Sequence, residues 1–111
     1  MQEFGLIELF RPKGNWYRLS PEEKASFFEK VSNSLKRAEA AGGKLHGPYR
    51  CRWSSEWDMF AFWEVSNLQD VQALAQDAED MGWFEYFEQL NLVGVKSTPE
   101  RYAEETAKVD N

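Results

Sequence analysis

A chain of 111 residues, 42% of them apolar and 15% aromatic, suffices for one domain with its own core and leaves no room for a second. The balance of 19 acidic against 13 basic residues, a net charge of -6, repels phosphate backbones and anionic headgroups and so speaks against nucleic acid or a membrane surface as partner. Cys51 is the single cysteine, which rules out an intrachain disulfide and a thiolate metal cluster and fits a reducing cytoplasm.

Met1 to Gly5 has neither the basic start nor the apolar run of a secretion signal, and no stretch reaches the roughly 20 apolar residues of a membrane span. A cytoplasmic protein is expected. The first strand is predicted over Glu3 to Phe10. Phe4, Leu6, Glu8 and Phe10 alternate with Gly5, Ile7 and Leu9, so both faces are largely apolar. Arg11 to Asn15 reads as a turn, and Trp16-Tyr17-Arg18-Leu19 leads into a helix. Its start is fully specified: Ser20 caps, Pro21 suits the first helical position, and Glu23 closes a capping box. Phe28, Val31, Leu35 and Ala38 form the helix stripe, and Gly42-Gly43 ends it.

Lys44 to Trp53 reads as a second strand, marked as an edge by Pro48 and by the polar His46, Arg50 and Arg52. A turn at Ser54 to Asp58 joins it to a third strand, Met59 to Val65. There Met59, Ala61, Trp63 and Val65 share one face, while Phe60, Phe62 and Glu64 share the other. Ser66 and Asn67 are rival caps for a second helix, whose stripe is Leu68, Val71, Leu74, Ala75 and Ala78 and which Gly82 interrupts. Trp83 to Gln89 is predicted as a short helical turn and Leu90 to Lys96 as the last strand. The domain thus spans residues 1–97, and 98–111 reads as a polar tail.

Strand, helix, strand, strand, helix, strand is the ferredoxin-like α+β order, with strands one and three central and two and four at the edges. An antiparallel sheet covered by two helices on one face normally shows water a polar second face. Here the second face is also apolar, and pairing two such faces about a two-fold axis would bury both. A homodimer through sheet faces is therefore expected.

This order, with Phe62-Trp63-Glu64 before a capped helix and the closing Gly82-Trp83-Phe84-Glu85-Tyr86-Phe87-Glu88, resembles the dimeric α+β barrel superfamily over residues 3–96. The segment Trp16 to Glu23, joined to that closing motif, is also similar to small uncharacterised bacterial proteins related loosely to darcynin. Superfamily members include cofactor-independent monooxygenases, cyclases, isomerases, haem-degrading enzymes and proteins without known chemistry, so fold alone does not choose an activity. Resemblance to the haem-degrading branch implies a tryptophan matching Trp63 and a histidine in the next helix. Leu68 to Ala75 holds none. Resemblance to the cyclases implies a histidine and a tyrosine, for which His46 and Tyr49 are the candidates; a regular strand would put them on opposite faces unless Pro48 introduces a bulge.

Glu8 and Glu64 stand among apolar strand residues on neighbouring central strands, and a pair of carboxyls sharing one pocket suits proton transfer. Parity puts each on the Phe face of its strand, alongside Phe4, Leu6, Phe60 and Phe62, and leaves open whether that face meets the helices or the barrel interior. His46 is the only imidazole and the natural base near neutral pH. Without a second histidine or a cysteine pair, no metal is expected. Trp63, Phe60, Phe62 and Trp53, with Trp16 and Tyr17 closing the mouth, would wall a pocket for a flat apolar molecule.

Two readings follow. The first is binding, and cofactor-independent transformation of monooxygenase, cyclase or isomerase type, of a small apolar or aromatic metabolite. In it His46, with Glu8 or Glu64, moves a proton. The second is a non-catalytic dimeric module whose interior is filled by aromatic side chains. A haem protein ligated by His46 or a tyrosine is a third.

Overall fold

The computed structural model describes residues 3–53 and 56–107. Met1 and Gln2, the Ser54-Ser55 part of the predicted turn and residues 108–111 of the predicted tail lie outside them. The chain runs β1 (Phe4–Pro12), α1 (Gly14–Tyr17), α2 (Pro21–Ala40), β2 (Lys44–Arg50), β3 (Met59–Val65), α3 (Leu68–Asp80), α4 (Trp83–Tyr86), β4 (Phe87–Val95) and α5 (Pro99–Ala107). Four antiparallel strands form one sheet in the order β2-β3-β1-β4, so β1 and β3 are central and the fold is ferredoxin-like. No helix among the described residues is long and apolar enough to cross a membrane.

Three strand boundaries move for identifiable reasons. β2 stops at Arg50, where its pairing with Met59 ends, rather than running to Trp53. β1 runs on to Pro12 because Arg11 and Pro12 still pair with Glu88 and Phe87 of β4, beyond the last residue matched by β3. β4 begins at Phe87 because α4 is a single turn, and the Lys13 amide donates to the Tyr86 carbonyl at 2.7 Å where the two chains meet. The tail contains a helix, α5, for which Thr98-Pro99-Glu100 is the same kind of start as Ser20-Pro21-Glu22. Thr98 Oγ1 accepts from the Arg101 amide at 3.1 Å.

The β1–β3 register sets everything that follows. Leu6 pairs with Trp63 and Phe4 with Val65, so these side chains share the helix-covered face. Leu6, Trp63 and Val65 are almost fully buried there, under Leu35 and Ala38 of α2 and Val71 and Leu74 of α3. The same register puts Gly5 opposite Glu64, Ile7 opposite Phe62 and Leu9 opposite Phe60 on the other face, which carries no helix. Burying Trp63 alone contributes about 1.5–3 kcal/mol or more. Gly43 makes room for it, since a Cβ at that position would stand 3.3 Å from the indole ring.

The helix starts behave as simple capping chemistry requires. Ser20 Oγ accepts from the Glu23 amide at 3.1 Å and Glu23 Oε1 accepts from the Ser20 amide at 2.9 Å. Of the rivals at the second helix, Asn67 is the cap, its Oδ1 accepting from the Asp70 amide at 3.0 Å. Above the core, Ser34 Oγ and Arg37 both donate to Asp77, tying α2 to α3. Replacing Ser20→Ala is expected to lower the unfolding free energy by about 1 kcal/mol without altering the fold; denaturant titration of the two proteins measures it.

Candidate functional site

Between the sheet and the two long helices lies a cavity of about 330 Å³. Its walls are Phe28, Val31 and Leu35 from α2, Leu74 and Ala78 from α3, and Met59, Ala61 and Trp63 from β3. Leu45 and Pro48 close the β2 side, and Phe10 and Trp83 the opposite end. Only Glu8, Gln89 and Ser34 bring polar side chains to these walls.

Glu8 reaches the cavity because it lies two residues from Leu6 on the core face, opposite the small Ala61. Its two carboxylate oxygens each accept a hydrogen bond: Oε1 from Trp63 Nε1 at 2.9 Å and Oε2 from Gln89 Nε2 at 3.0 Å. Gln89 is itself oriented, accepting from Trp83 Nε1 at 2.7 Å and donating to Asn91 at 2.8 Å. The residue keeps some accessible surface where it opens on the cavity, yet protein atoms surround most of the carboxyl. That desolvation pushes its pKa above the usual 4.5, against the two donors, which pull it down. With one lone pair on each oxygen already engaged, an added proton is directed into the cavity, which suits a group that donates to, or takes a proton from, a bound molecule.

The aromatic run at the closed end forms one cluster. Trp83 stacks on Phe87 with centroids 4.2 Å apart, and Phe10 meets Trp83 edge-on at 5.4 Å. Trp16 packs behind this wall, 5.2 Å from Phe28 and 5.0 Å from Phe87.

The predicted site residues separate into two groups. Glu8 and Trp63 line the cavity together. Glu64, His46, Tyr49, Phe60 and Phe62 lie on the opposite, helix-free face. The expectation that Glu8 and Glu64 share a pocket is thus corrected: the register pairs Glu8 with Ala61 and Gly5 with Glu64, so the two carboxyls look in opposite directions. The expected pocket of strand-two and strand-three aromatics is corrected likewise, because Phe60 and Phe62 alternate away from Trp63. Trp53 is 98% exposed and Tyr17 69% exposed, and neither touches the cavity. Trp16 backs the wall without lining it.

On the open face, a bulge lies between His46 and Tyr49, where Gly47 takes a φ of 104°, a conformation open to glycine. The bulge brings both side chains to the same side, His46 opposite Phe62 and Tyr49 opposite Phe60. His46 Nε2 is 2.6 Å from Glu64 Oε2. This hydrogen bond, with smaller help from Lys44 and Lys96, holds the Glu64 carboxyl below its usual pKa. Tyr49 stacks on Phe60 at 5.1 Å. Gln89, Trp83, Ser34 and Pro48 were missed by the sequence reading. Gln89 had a visible signal, a side-chain amide two residues after the last ring of an aromatic run. No group of three or more potential metal-ligating side chains occurs among the described residues.

The fold is shared with solved chlorite dismutases. A variant from Candidatus Nitrospira defluvii superposes with a TM-score of 0.76 at 16% identity, over 98% of this chain and 48% of that one. Another variant, in complex with cyanide, gives a TM-score of 0.75 at 16% identity, over 96% and 45% of the two chains. A chlorite dismutase-like protein gives 0.69 at 9% identity, over 86% and 45%. The chain thus spans about half the length of the solved structures it matches. No curated protein sequence matches it. The chain belongs to DUF6616, a family of unknown function, whose profile matches residues 3–109.

The raised pKa of Glu8 fixes the sign of a pH effect. In the unfolded chain the carboxyl ionises near its usual 4.5, whereas in the folded protein it keeps its proton to higher pH. The stability it lends is therefore fully present below 4.5 and is lost as pH rises through the folded pKa. Glu8→Gln should remove this fall, so that its unfolding free energy, measured by denaturant titration at a series of pH values, declines less than that of the natural protein over this window.

Proposed function

We propose that this protein binds a small apolar or aromatic molecule in the cavity between the sheet and α2 and α3, with Glu8 as its polar contact. The observation that carries this reading is a carboxyl set in an otherwise apolar wall and held by two donors. The cavity volume is near the lower end of the roughly 300–1,000 Å³ of small-molecule sites. Its few polar groups converge on one side, as in sites that orient a ligand. Of the cofactor-independent reactions that the superfamily resemblance suggests, isomerisation or cyclisation by proton transfer asks of the protein only a positioned acid and base. Glu8 supplies both roles by releasing and regaining one proton, while the apolar walls exclude water. Glu64 and His46 take no part in this chemistry, since they are a hydrogen-bonded pair on the other face.

The haem reading does not fit this cavity. Neither histidine nor tyrosine lines it, and His46 is bonded to Glu64 across the sheet. The similarity to chlorite dismutases is a similarity of fold, and no step of their reaction is carried over. The likeness to darcynin-related proteins brings no ligand of its own and leaves the reading unchanged.

The open sheet face supports the dimer. Ile7, Leu9, Phe60, Phe62, Leu90 and Leu92 form a bare apolar surface, with Leu90 and Leu92 about half exposed. A surface of this kind marks an interface, and a two-fold axis lets the same patch cover itself. The longer chains of the solved relatives leave room for a second unit of this size. In the dimer, Phe60 and Phe62 fill the seam between the sheets, which keeps the aromatic-filled interior of the rival reading while leaving the ligand cavity on the helix side.

The test uses 1-naphthol as probe. Titrated into the protein, it is expected to shift the indole N–H resonances of Trp63 and Trp83 saturably. Ala61→Leu, which fills the cavity from its floor, should weaken binding about tenfold or more, the equivalent of about 1.4 kcal/mol. Unshifted indole resonances, or equal affinity in a folded Ala61→Leu protein, would contradict the assignment.

A further inference from the structure

Two features outside the cavity stand exposed among the described residues. One is α5. Its Pro99, Tyr102, Ala103 and Ala107 fall at positions i, i+3, i+4 and i+8 and form a single apolar stripe. Yet every described residue from 90 to 107 is exposed, and Tyr102 keeps 66% of its surface. At 9 residues the helix is shorter than the roughly 12–15 at which an isolated helix holds in water, so the stripe needs a surface to lie on.

The other feature is a groove of about 500 Å³ on the open face, lined by Gly5, Phe62, Leu92 and Gly94, with Glu64 and Lys96 contributing charge. Gly5 and Gly94 pair across β1 and β4. The Phe62 ring lies over Gly5, 3.2 Å from where a Cβ would stand, whereas a Cβ at Gly94 would meet nothing within 4 Å. The floor is therefore open at Gly94, beside the Phe62 ring, to a ring or a helix approaching from outside.

We propose that α5 of a second copy of this chain lies in this groove, its Tyr102 ring over Gly94 and against Phe62, so that two subunits exchange their C-terminal arms. The proposal rests on the sheet-face dimer, of which the groove is a continuous part. Only Lys96, Ser97 and Thr98 separate β4 from α5, and the molecule extends 57 Å along its long axis against 34 and 22 Å across. The arm therefore leads away from its own sheet rather than doubling back on it. Both surfaces carry both signs: the groove presents Lys96 beside Glu3 and Glu64, and α5 presents Arg101 beside Glu100 and Glu104.

Sedimentation velocity over a concentration series, on the full chain and on two full-length variants, tests the exchange. Tyr102→Glu changes a side chain that is exposed in its own subunit, and Gly94→Leu fills the groove from a position where the subunit has space. Both should keep the thermal unfolding of the isolated subunit and raise the dimer dissociation constant about tenfold or more, as loss of an interface anchor does. If the natural chain dimerises and Tyr102→Glu dimerises equally well, the arm is elsewhere and the proposal falls while the sheet-face dimer stands. That result covers an α5 folded onto its own subunit or a groove that takes a small molecule. A natural chain that stays monomeric at every concentration overturns both.

Discussion

The hydrogen bond from the Trp63 indole to Glu8 ties the core of this protein to its cavity. Trp63 is fully buried, and a buried indole N–H needs an acceptor. The acceptor comes from the adjacent strand, where Glu8 stands two residues from Leu6 on the same face. A carboxyl is thereby drawn into apolar surroundings. Gln89 engages its second oxygen from the strand on the other side, and Trp83 holds Gln89. One chain of polar contacts thus crosses β3, β1 and β4 beneath the helices. No buried side-chain nitrogen or oxygen among the described residues lacks a partner. The arrangement is stable as a structure and still leaves Glu8 lone pairs facing an open cavity.

The sheet separates two tasks by the alternation of its side chains. The face holding Trp63 and Glu8 meets the helices and encloses the cavity. The face holding Phe60, Phe62, His46 and Glu64 carries no helix and forms the seam proposed for a second subunit. A one-residue change of register would exchange these faces and put Glu64 where Trp63 now lies. The cost of leaving that carboxyl in the core and that indole in water keeps the register fixed. The two apolar faces are therefore not redundant, since each is specified by a different set of neighbours.

Much of the fold was legible in the chain. Ser20-Pro21-Glu22-Glu23 specifies one helix start, Pro48 marks the edge strand, and the apolar alternation of Phe4 to Phe10 and Met59 to Val65 marks the central pair. The site was less legible because side-chain parity within a strand does not state how two strands align. The phenylalanines of β1 and β3 suggested one shared face, but Phe4 lies opposite Val65 and Ile7 opposite Phe62. His46 and Tyr49 meet on one face only through a bulge whose geometry depends on Gly47. Gln89 was assigned to a helical turn, because nothing local reveals that α4 stops at Tyr86. For α5, Thr98-Pro99-Glu100 carried the same signal as the first long helix but was outweighed by the polar composition of the residues around it.

The most direct test is a titration of the Glu8 side-chain carboxyl by carbon-13 NMR, in the natural protein and in Trp63→Phe. The account predicts a midpoint above 4.5 in the natural protein, because burial outweighs its two donors. It predicts a higher midpoint still in Trp63→Phe, which keeps an aromatic ring but loses the indole N–H that stabilises the ionised form. A midpoint at or below 4.5, or one that Trp63→Phe leaves in place, would contradict a desolvated Glu8 held by Trp63 in the cavity wall.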